Sequence, residues 1–326
     1  MLTRLQRTIK NKEAGLNPIW LMRQAGRYMP EYMEIKNNSK GFLDMALTPS
    51  KATQITLQPI DAFDMDAAII FSDILIIPYA LGQELDYSPG PVMGKLDYRI
   101  LQTTLDDFLH RCKPVYEAIT QTRQQLDKSK SLIGFAGAPW TLYRYMSGIN
   151  STLQLDHKQA QYVMDRLTHY VTQHLVEQIK AGCDTVQIFD SWASDIYISH
   201  LVPYCFNPTV KIVDHIRKYY PEVGIIAFPR LIGEEVKTFT RWVKPDCINL
   251  SNDVSLEWAR AFIDIPMQGG IDPNILVSGE SVVRVTQEYI DQMKTKPYVV
   301  NLAHGVNKET PTMSVQLMVQ TVKENR

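Results

Sequence analysis

"KQAQYVMDRLTHYVTQHLVEQIKAG", residues 158–182, runs almost directly into "TVQIFD", residues 185–190. The first stretch carries apolar residues at helical spacing among strong helix formers. The second is a short apolar run of the kind that forms a strand buried on both faces. The same unit recurs along the chain. Short runs rich in Val, Ile and Phe stand at 18–22 ("PIWLM"), 67–72 ("AAIIFS"), 132–137 ("LIGFAG"), 185–190, 224–229 ("GIIAFP"), 246–251 ("DCINLS"), 266–271 ("PMQGGI") and 298–303 ("YVVNLA"), with helix-forming stretches between them. Strand then helix, eight times over, predicts an α/β fold: a (β/α)8 TIM barrel in a single domain. Such a core needs roughly 250 residues, so a chain of 326 has room for insertions. The Pro/Gly-marked "YSPGPVMGKLDY" places one after the second strand, at about 79–110. A doubly wound open sheet would show the same alternation, but neither GxGxxG nor GxxxxGK[ST] is present.

The composition, 45% hydrophobic and 21% charged with a net charge of −1, excludes a general nucleic-acid binder or a membrane-surface protein, both of which would carry a basic excess. Any cationic site must therefore be local. Four cysteines, Cys112, Cys183, Cys205 and Cys247, stand far apart with no CxxC and read as free thiols. The opening "MLTRLQRTIKNKEAG" lacks the apolar core of a signal peptide. The longest apolar run, "AAIIFSDILIIPYALG", is interrupted by Asp73 and too short to cross a bilayer. A cytoplasmic protein is expected.

In a barrel, chemistry gathers on the loops after the carboxyl ends of the strands. Those positions hold Arg23 and Arg27 in "LMRQAGRYMPEY" (21–32), Asp73 in "IIFSDIL", Tyr145 in "APWTLYRYM", then Asp190-Ser191-Trp192, Arg230, Ser251, Asn252, Asp272, and His304 in "NLAHG". Two arginines four apart around Gly26 put two planar forks on one turn, which suits carboxylate recognition; the plainer alternative is pairing with neighbouring acids. Asp73 sits in an apolar run where a carboxylate is costly to bury without partners, so it is either an ion-pair partner or a site residue. His304, taken alone, reads as a core histidine, and Tyr145 as a residue packing a helix on the barrel. Ser191 lacks the GxSxG elbow of a hydrolase nucleophile. "HRC", 110–112, resembles half a zinc site, but on a helix side chains two apart diverge, and it reads as surface at the start of a helical stretch.

At these residues the sequence resembles the uroporphyrinogen decarboxylase family. "PIWLMRQAGRYMPEY" (18–32), "DAAIIFSDIL" (66–75), "GFAGAPWTL" (134–142), "QGGIDP" (268–273) and "NLAHGV" (301–306) are similar to its blocks. The resemblance implies a (β/α)8 fold, no metal or organic cofactor, and a homodimer with facing clefts. It also implies a carboxy-lyase activity in haem biosynthesis, conversion of the four acetate arms of uroporphyrinogen III to methyls to give coproporphyrinogen III. By that resemblance Arg23 and Arg27 grip substrate carboxylates, Arg23 taking part in catalysis. Asp73 accepts hydrogen bonds from pyrrole N–H groups and stabilises charge. Tyr145, Ser191 and His304 contact the substrate. Lys36 stands where the family often has a third arginine, Gly270 where it has Asn, and Ala303 where it has Gly; "IIAFPRL" and "INLSNDV" are also unlike its usual blocks. Three other readings share some of these residues. One is a corrinoid-linked methyltransferase, which needs a zinc-activated thiol from an HxC and a later Cys. Another is a glycoside hydrolase using two of Asp73, Asp190 and Asp272, with Trp140 and Trp192 for sugar stacking. The third is a non-catalytic tetrapyrrole or polyanion binder.

Overall fold

The computed structural model describes residues 2–87 and 90–326. Its strands are β1 (Ala67–Ile69), β2 (Leu85–Asp86), β3 (Val92–Met93), β4 (Ser131–Gly137), β5 (Thr185–Asp190), β6 (Gly224–Pro229), β7 (Cys247–Leu250), β8 (Met267–Gly269) and β9 (Tyr298–Val299). β1, β4, β5, β6, β7, β8 and β9 follow one another in a parallel sheet, while β2 and β3 make a separate antiparallel ribbon. The remaining arm of the barrel is the segment 18–22. Ile19 bridges Val300 in parallel, the Val300 N–H donates to the Pro18 carbonyl (2.8 Å), and on the other side the Asp66 N–H donates to the Ile19 carbonyl (2.9 Å). The first segment thus lies between β9 and β1 and closes the ring. Asn17 (φ 40°) and Arg23 (φ 58°) flank it in the left-handed region, which no strand can cross, so this arm is limited to a bridge.

All eight apolar runs are used, and a helix follows each. The helix after the first arm, Pro49–Phe63, coincides with "PSKATQITLQPIDAF". The helix that precedes β4, Leu105–Gln125, begins earlier than the expected "RCKPVYEAITQTRQQL": Thr104 caps the Asp107 amide, and Asp106 and Asp107 fill the first turn. "HRC" therefore sits inside a helix rather than at its start. His110 is exposed as expected, but Cys112 is fully buried, which corrects its reading as surface.

The barrel interior is packed from below. Leu5 and Ile9 of the helix Arg4–Ile9 plug its amino end against Trp20, Ile133, Ile226 and Val299. Gly224 admits them, since a Cβ there would stand 2.5 Å from Ile9 Cδ1. The same interior holds a buried polar set: Trp20 Nε1 donates to Gln268 Oε1 (2.9 Å), and Gln268 Nε2 to Gln187 Oε1 (3.1 Å) and Asn249 Oδ1 (2.7 Å). A connected network of this kind fixes side-chain geometry more firmly than apolar packing alone. The stretch 79–110 spans the end of the helix Ile76–Leu81, the β2–β3 ribbon, the short helix Tyr98–Gln102 and the start of the helix Leu105–Gln125; Ser88 and Pro89 within it lie outside the described residues.

Candidate active site

The carboxyl ends of the strands open onto a cavity of about 1070 Å³, at the top of the roughly 300–1,000 Å³ range of small-molecule sites. Three successive strands supply part of its lining through Phe135, Phe189 and Phe228, with ring centroids 5.6 and 6.3 Å apart along the row. A second aromatic surface joins Tyr32, Phe71, Phe42 and Tyr87, closest between Phe42 and Tyr87 at 4.5 Å. Against these apolar walls stand, among the described residues, six cationic side chains, Arg23, Arg27, Lys36, Lys40, Arg230 and Lys308, and one carboxylate, Asp73.

The arginine loop is held from beneath. Gln24 is buried; its Oε1 accepts the Leu21 N–H (3.1 Å) and its Nε2 donates to the Ala67 carbonyl (3.1 Å), so the loop is knotted to β1. Asn301 Oδ1 takes the Met22 N–H (3.1 Å), and the Met22 carbonyl accepts from Val306 (2.9 Å). These bonds fix Arg23 in the left-handed region, a conformation a non-glycine residue holds only under such constraint. Gly305 lets its side chain pass: a Cβ there would lie 2.4 Å from Arg23 Cδ. Among the described residues neither Arg23 nor Arg27 forms a salt bridge, so the plainer reading as structural ion pairs does not hold.

Asp73 Oδ1 accepts the Leu75 N–H at 2.8 Å. Burial pushes its carboxyl above the ordinary range, against the Leu75 amide, the Tyr87 hydroxyl and Arg23, which pull it down. The Ser72 hydroxyl beside it is buried and without a hydrogen-bond partner among the described residues, and it lines the cavity. An unused donor beside this acid is a group a ligand can engage. His304 lies in the same cavity, its pKa pushed down to about 4 by burial and then by Arg23 and Arg230. Its ring is therefore neutral at pH 7.

Tyr145 and Ser191 also line the cavity, so all six residues singled out in the sequence face one hollow. Asp190 and Asp272 do not line it, and Trp140 is fully buried, so the carboxylate pair and exposed stacking face of a glycosidase are not assembled. Among the described residues no group of three or more His, Cys, Asp or Glu is placed to hold a metal ion, and the Cys183, Cys205 and Cys247 thiols are raised well above their usual pKa by burial, the reverse of what a zinc thiolate needs. Sequence reading missed Lys40, Lys308, Tyr87 and the phenylalanine row. The row had a signal, a Phe one or two residues before the end of three successive strand runs. Gly270 adopts φ 89°, a region that Asn also visits more readily than other residues, so its exchange with Asn keeps the backbone path. Ala303 is buried with 3% exposure and donates its N–H to the Ile271 carbonyl (2.7 Å).

A family model described as uroporphyrinogen decarboxylase (URO-D) matches residues 2–325. Curated proteins named uroporphyrinogen decarboxylase are similar over nearly full length. One from Rickettsia bellii is 37% identical, covering 94% of both chains, and one from Cereibacter sphaeroides is 35% identical, covering 99% of both. Among solved structures, a methyltransferase from Methanosarcina mazei superposes with a TM-score of 0.79 at 14% identity, covering 98% of this chain and 97% of that one, a likeness of fold. Among the described residues no helix is long and apolar enough to cross a membrane.

The neutrality of His304 is open to direct measurement. A pH titration followed by NMR of labelled histidine should place its midpoint near 4, below the ordinary value of about 6.5. Arg23→Gln, by removing a neighbouring positive charge, should move the midpoint upward. A wild-type midpoint at 6 or above would mean that the ring is hydrated rather than buried among cations.

Proposed function

The chain belongs to the uroporphyrinogen decarboxylase family and acts on uroporphyrinogen in tetrapyrrole biosynthesis, and from that premise we propose that it converts all four acetate arms of the III isomer to methyls, giving coproporphyrinogen III, without metal or organic cofactor. One observation carries the reading beyond the family: among the described residues, six cationic side chains and one carboxylate line a roomy, partly aromatic cavity of a chain whose net charge is −1. A macrocycle with eight carboxylates and inward-facing pyrrole N–H groups complements that arrangement, anion to cation at its rim and N–H donor to Asp73 at its centre. Arg27, Lys36, Lys40 and Lys308 are assigned to peripheral carboxylates, and Tyr145, Ser191 and neutral His304 to hydrogen bonds with the substrate.

Each decarboxylation consumes one proton and releases one CO2. A ring carbon of the pyrrole takes a proton and the ring becomes a cation. The bond between the methylene and the carboxylate then breaks, with its electron pair drawn into the ring. The methylene carbon takes a proton to become the methyl, and the ring carbon gives its own back. Asp73, ionised, opposes the transient positive charge. At about 4 Å and an effective dielectric of 20 a carboxylate contributes roughly 4 kcal/mol, about three decades of rate at about 1.36 kcal/mol each. Barrier lowering by enzymes runs from roughly 8 kcal/mol upward, so positioning and proton transfer supply the rest. Arg23 is assigned to the departing carboxylate and to the proton relay. Because the His304 ring is neutral at pH 7, it is a hydrogen-bonding partner rather than a cationic acid.

Anaerobic incubation with reduced uroporphyrinogen, with products separated by carboxylate count, tests the reaction; a complete absence of seven- to four-carboxylate products would end the reading. Asp73→Asn keeps shape and reach but removes charge, and kcat should fall by about three decades; a loss of less than tenfold would dismiss the charge-stabilising role. Arg27→Ala should raise KM by about tenfold or more while changing kcat little, the pattern of lost uniform binding. Unchanged saturation would remove Arg27 from the clamp.

We further propose that the protein is a cytoplasmic homodimer in which the stretch 79–110 is an insertion in a single barrel domain. Its four free, buried thiols suit a reducing compartment. Leu153, Tyr197 and Ile198 are 65, 51 and 63% exposed. The Tyr197 N–H donates to Thr152 Oγ1 (2.9 Å), which brings their two loops together beyond β4 and β5, at the cleft end of the barrel. An exposed apolar group there suits packing against a second copy with clefts facing. Sedimentation of Ile198→Asp should show monomer where the wild type shows dimer; a wild type that sediments as a monomer at micromolar concentration would refute the assembly.

A further inference from the structure

We propose that Asp190 is a positioning residue for this site: through the Thr141 hydroxyl its carboxyl anchors both the helix Pro139–Ser147, which carries Tyr145, and the Ser191–Trp192 turn after β5. The inference rests on the decarboxylase reading of the cavity, since Tyr145 and Ser191 matter only if substrate meets them there.

Asp190 ends β5 with 3% exposure and does not line the cavity. Thr141 Oγ1 donates to Asp190 Oδ1 at 2.6 Å, and the same oxygen accepts the Trp192 N–H at 3.1 Å. One hydroxyl thus joins a strand end, a helix and a turn. The helix needs such an anchor. It opens on Pro139, and the residue at its cap, Ala138, offers no side-chain acceptor, so the first-turn amides look outward for one. Asp190 meets this end through the Thr141 hydroxyl, and a negative group at a helix amino end is favoured by the helix dipole. The Ala138 N–H adds a bond to the Phe189 carbonyl (2.8 Å).

From this anchor the contacts run to the cavity wall. The Trp192 carbonyl accepts from Trp140 Nε1 (2.8 Å). Its ring meets Tyr145 edge-on at 5.9 Å and lies under the Arg144 guanidinium at 4.0 Å. Arg144 Nε in turn donates to Asp195 Oδ2 (2.9 Å). Tyr145 and Ser191 therefore take their places from a frame that begins at Asp190. Stability alone does not call for a carboxyl here. Its Oδ2 has no hydrogen-bond partner among the described residues, and burial pushes its pKa up to about 6, so at neutral pH this acid is charged at a cost to the fold.

Thr141→Val, which keeps the side chain's shape and deletes the shared hydroxyl, is the first variant to make, with Thr141→Ser as its rescue. In Thr141→Val the KM for uroporphyrinogen should rise about tenfold with kcat within about threefold, and Thr141→Ser should restore KM to within about twofold. Tyr145→Phe should cost much less in the Thr141→Val background than in the wild type, because contacting pairs are non-additive. Amide hydrogen exchange of Trp192 should quicken at least tenfold in Thr141→Val, a readout independent of activity. Wild-type turnover with unchanged KM in a folded Thr141→Val protein, or additive effects with Tyr145→Phe, would overturn the positioning role and leave the decarboxylase reading intact. Unchanged Trp192 exchange would overturn the role even if no turnover were seen, whereas an inactive wild type with quickened exchange would fault the functional reading and uphold the anchor.

Discussion

Like charges that outnumber the acids beside them set the terms for the rest of this molecule. Two guanidinium groups on one tight loop and a third, Arg230, converge on a cavity with one carboxylate among its lining residues. The crowding is felt: burial and then Arg23 pull the Arg230 pKa below its usual value, and both arginines help depress His304. Left free, such side chains would swing into solvent, where water and salt screen them. Arg23 is denied that escape by its backbone, held left-handed by the amides of Gln24 and Asn301, while the bare Gly305 lets its stem lie across the neighbouring loop. Local strain and local repulsion are retained because the surrounding barrel over-determines the loop, and the natural relief is an anion.

The barrel makes that over-determination possible. Asn301 follows β9 and Gln24 follows the first arm, so the two bonds that fix the arginine loop come from opposite sides of the seam where the ring closes. The seam is the least regular part of the sheet, a single bridge rather than a ladder. Its irregularity comes from left-handed residues at 17 and 23, so the closure of the fold and the pose of Arg23 are one structural decision.

What the sequence revealed follows the same division. Eight buried strands announce themselves because parallel strands covered on both faces are apolar throughout, and the strand-end rule then puts Arg23, Arg27, Asp73, Tyr145, Ser191 and His304 on one rim. Even the seam was legible as a strand run, though its reduction to one bridge depends on backbone angles that composition does not encode. The start of the helix Leu105–Gln125 is obscured in the sequence because Pro114, of a residue type tolerated mainly in a first helical turn, points to a later start than the Thr104 cap. Lys40 and Lys308 were invisible for a plainer reason: a surface lysine far from any strand end looks like every other solvated lysine until the fold brings it to the cavity. Asp190 was visible but ambiguous, since a carboxyl at a strand end reads the same whether it points to the cavity or into the helix layer beside it.

The cavity's opposite characters, cationic side chains against aromatic walls, also bear on the counter-charge role proposed for Asp73. Burial raises its pKa while the Leu75 amide, the Tyr87 hydroxyl and Arg23 lower it. A bound polycarboxylate neutralises Arg23 and so withdraws part of what keeps Asp73 ionised. The loss must be made good by the substrate itself, through pyrrole N–H donors, because hydrogen bonds to the charged form favour that form. Substrate that presents its rims without its N–H groups would favour the ionised acid less, and so weaken the proposed counter-charge. Requiring both kinds of contact at once ties charge stabilisation to correct seating of the macrocycle. The phenylalanine row of β4, β5 and β6 strengthens the coupling, because an apolar surface keeps the effective dielectric low where the transient ring cation faces Asp73.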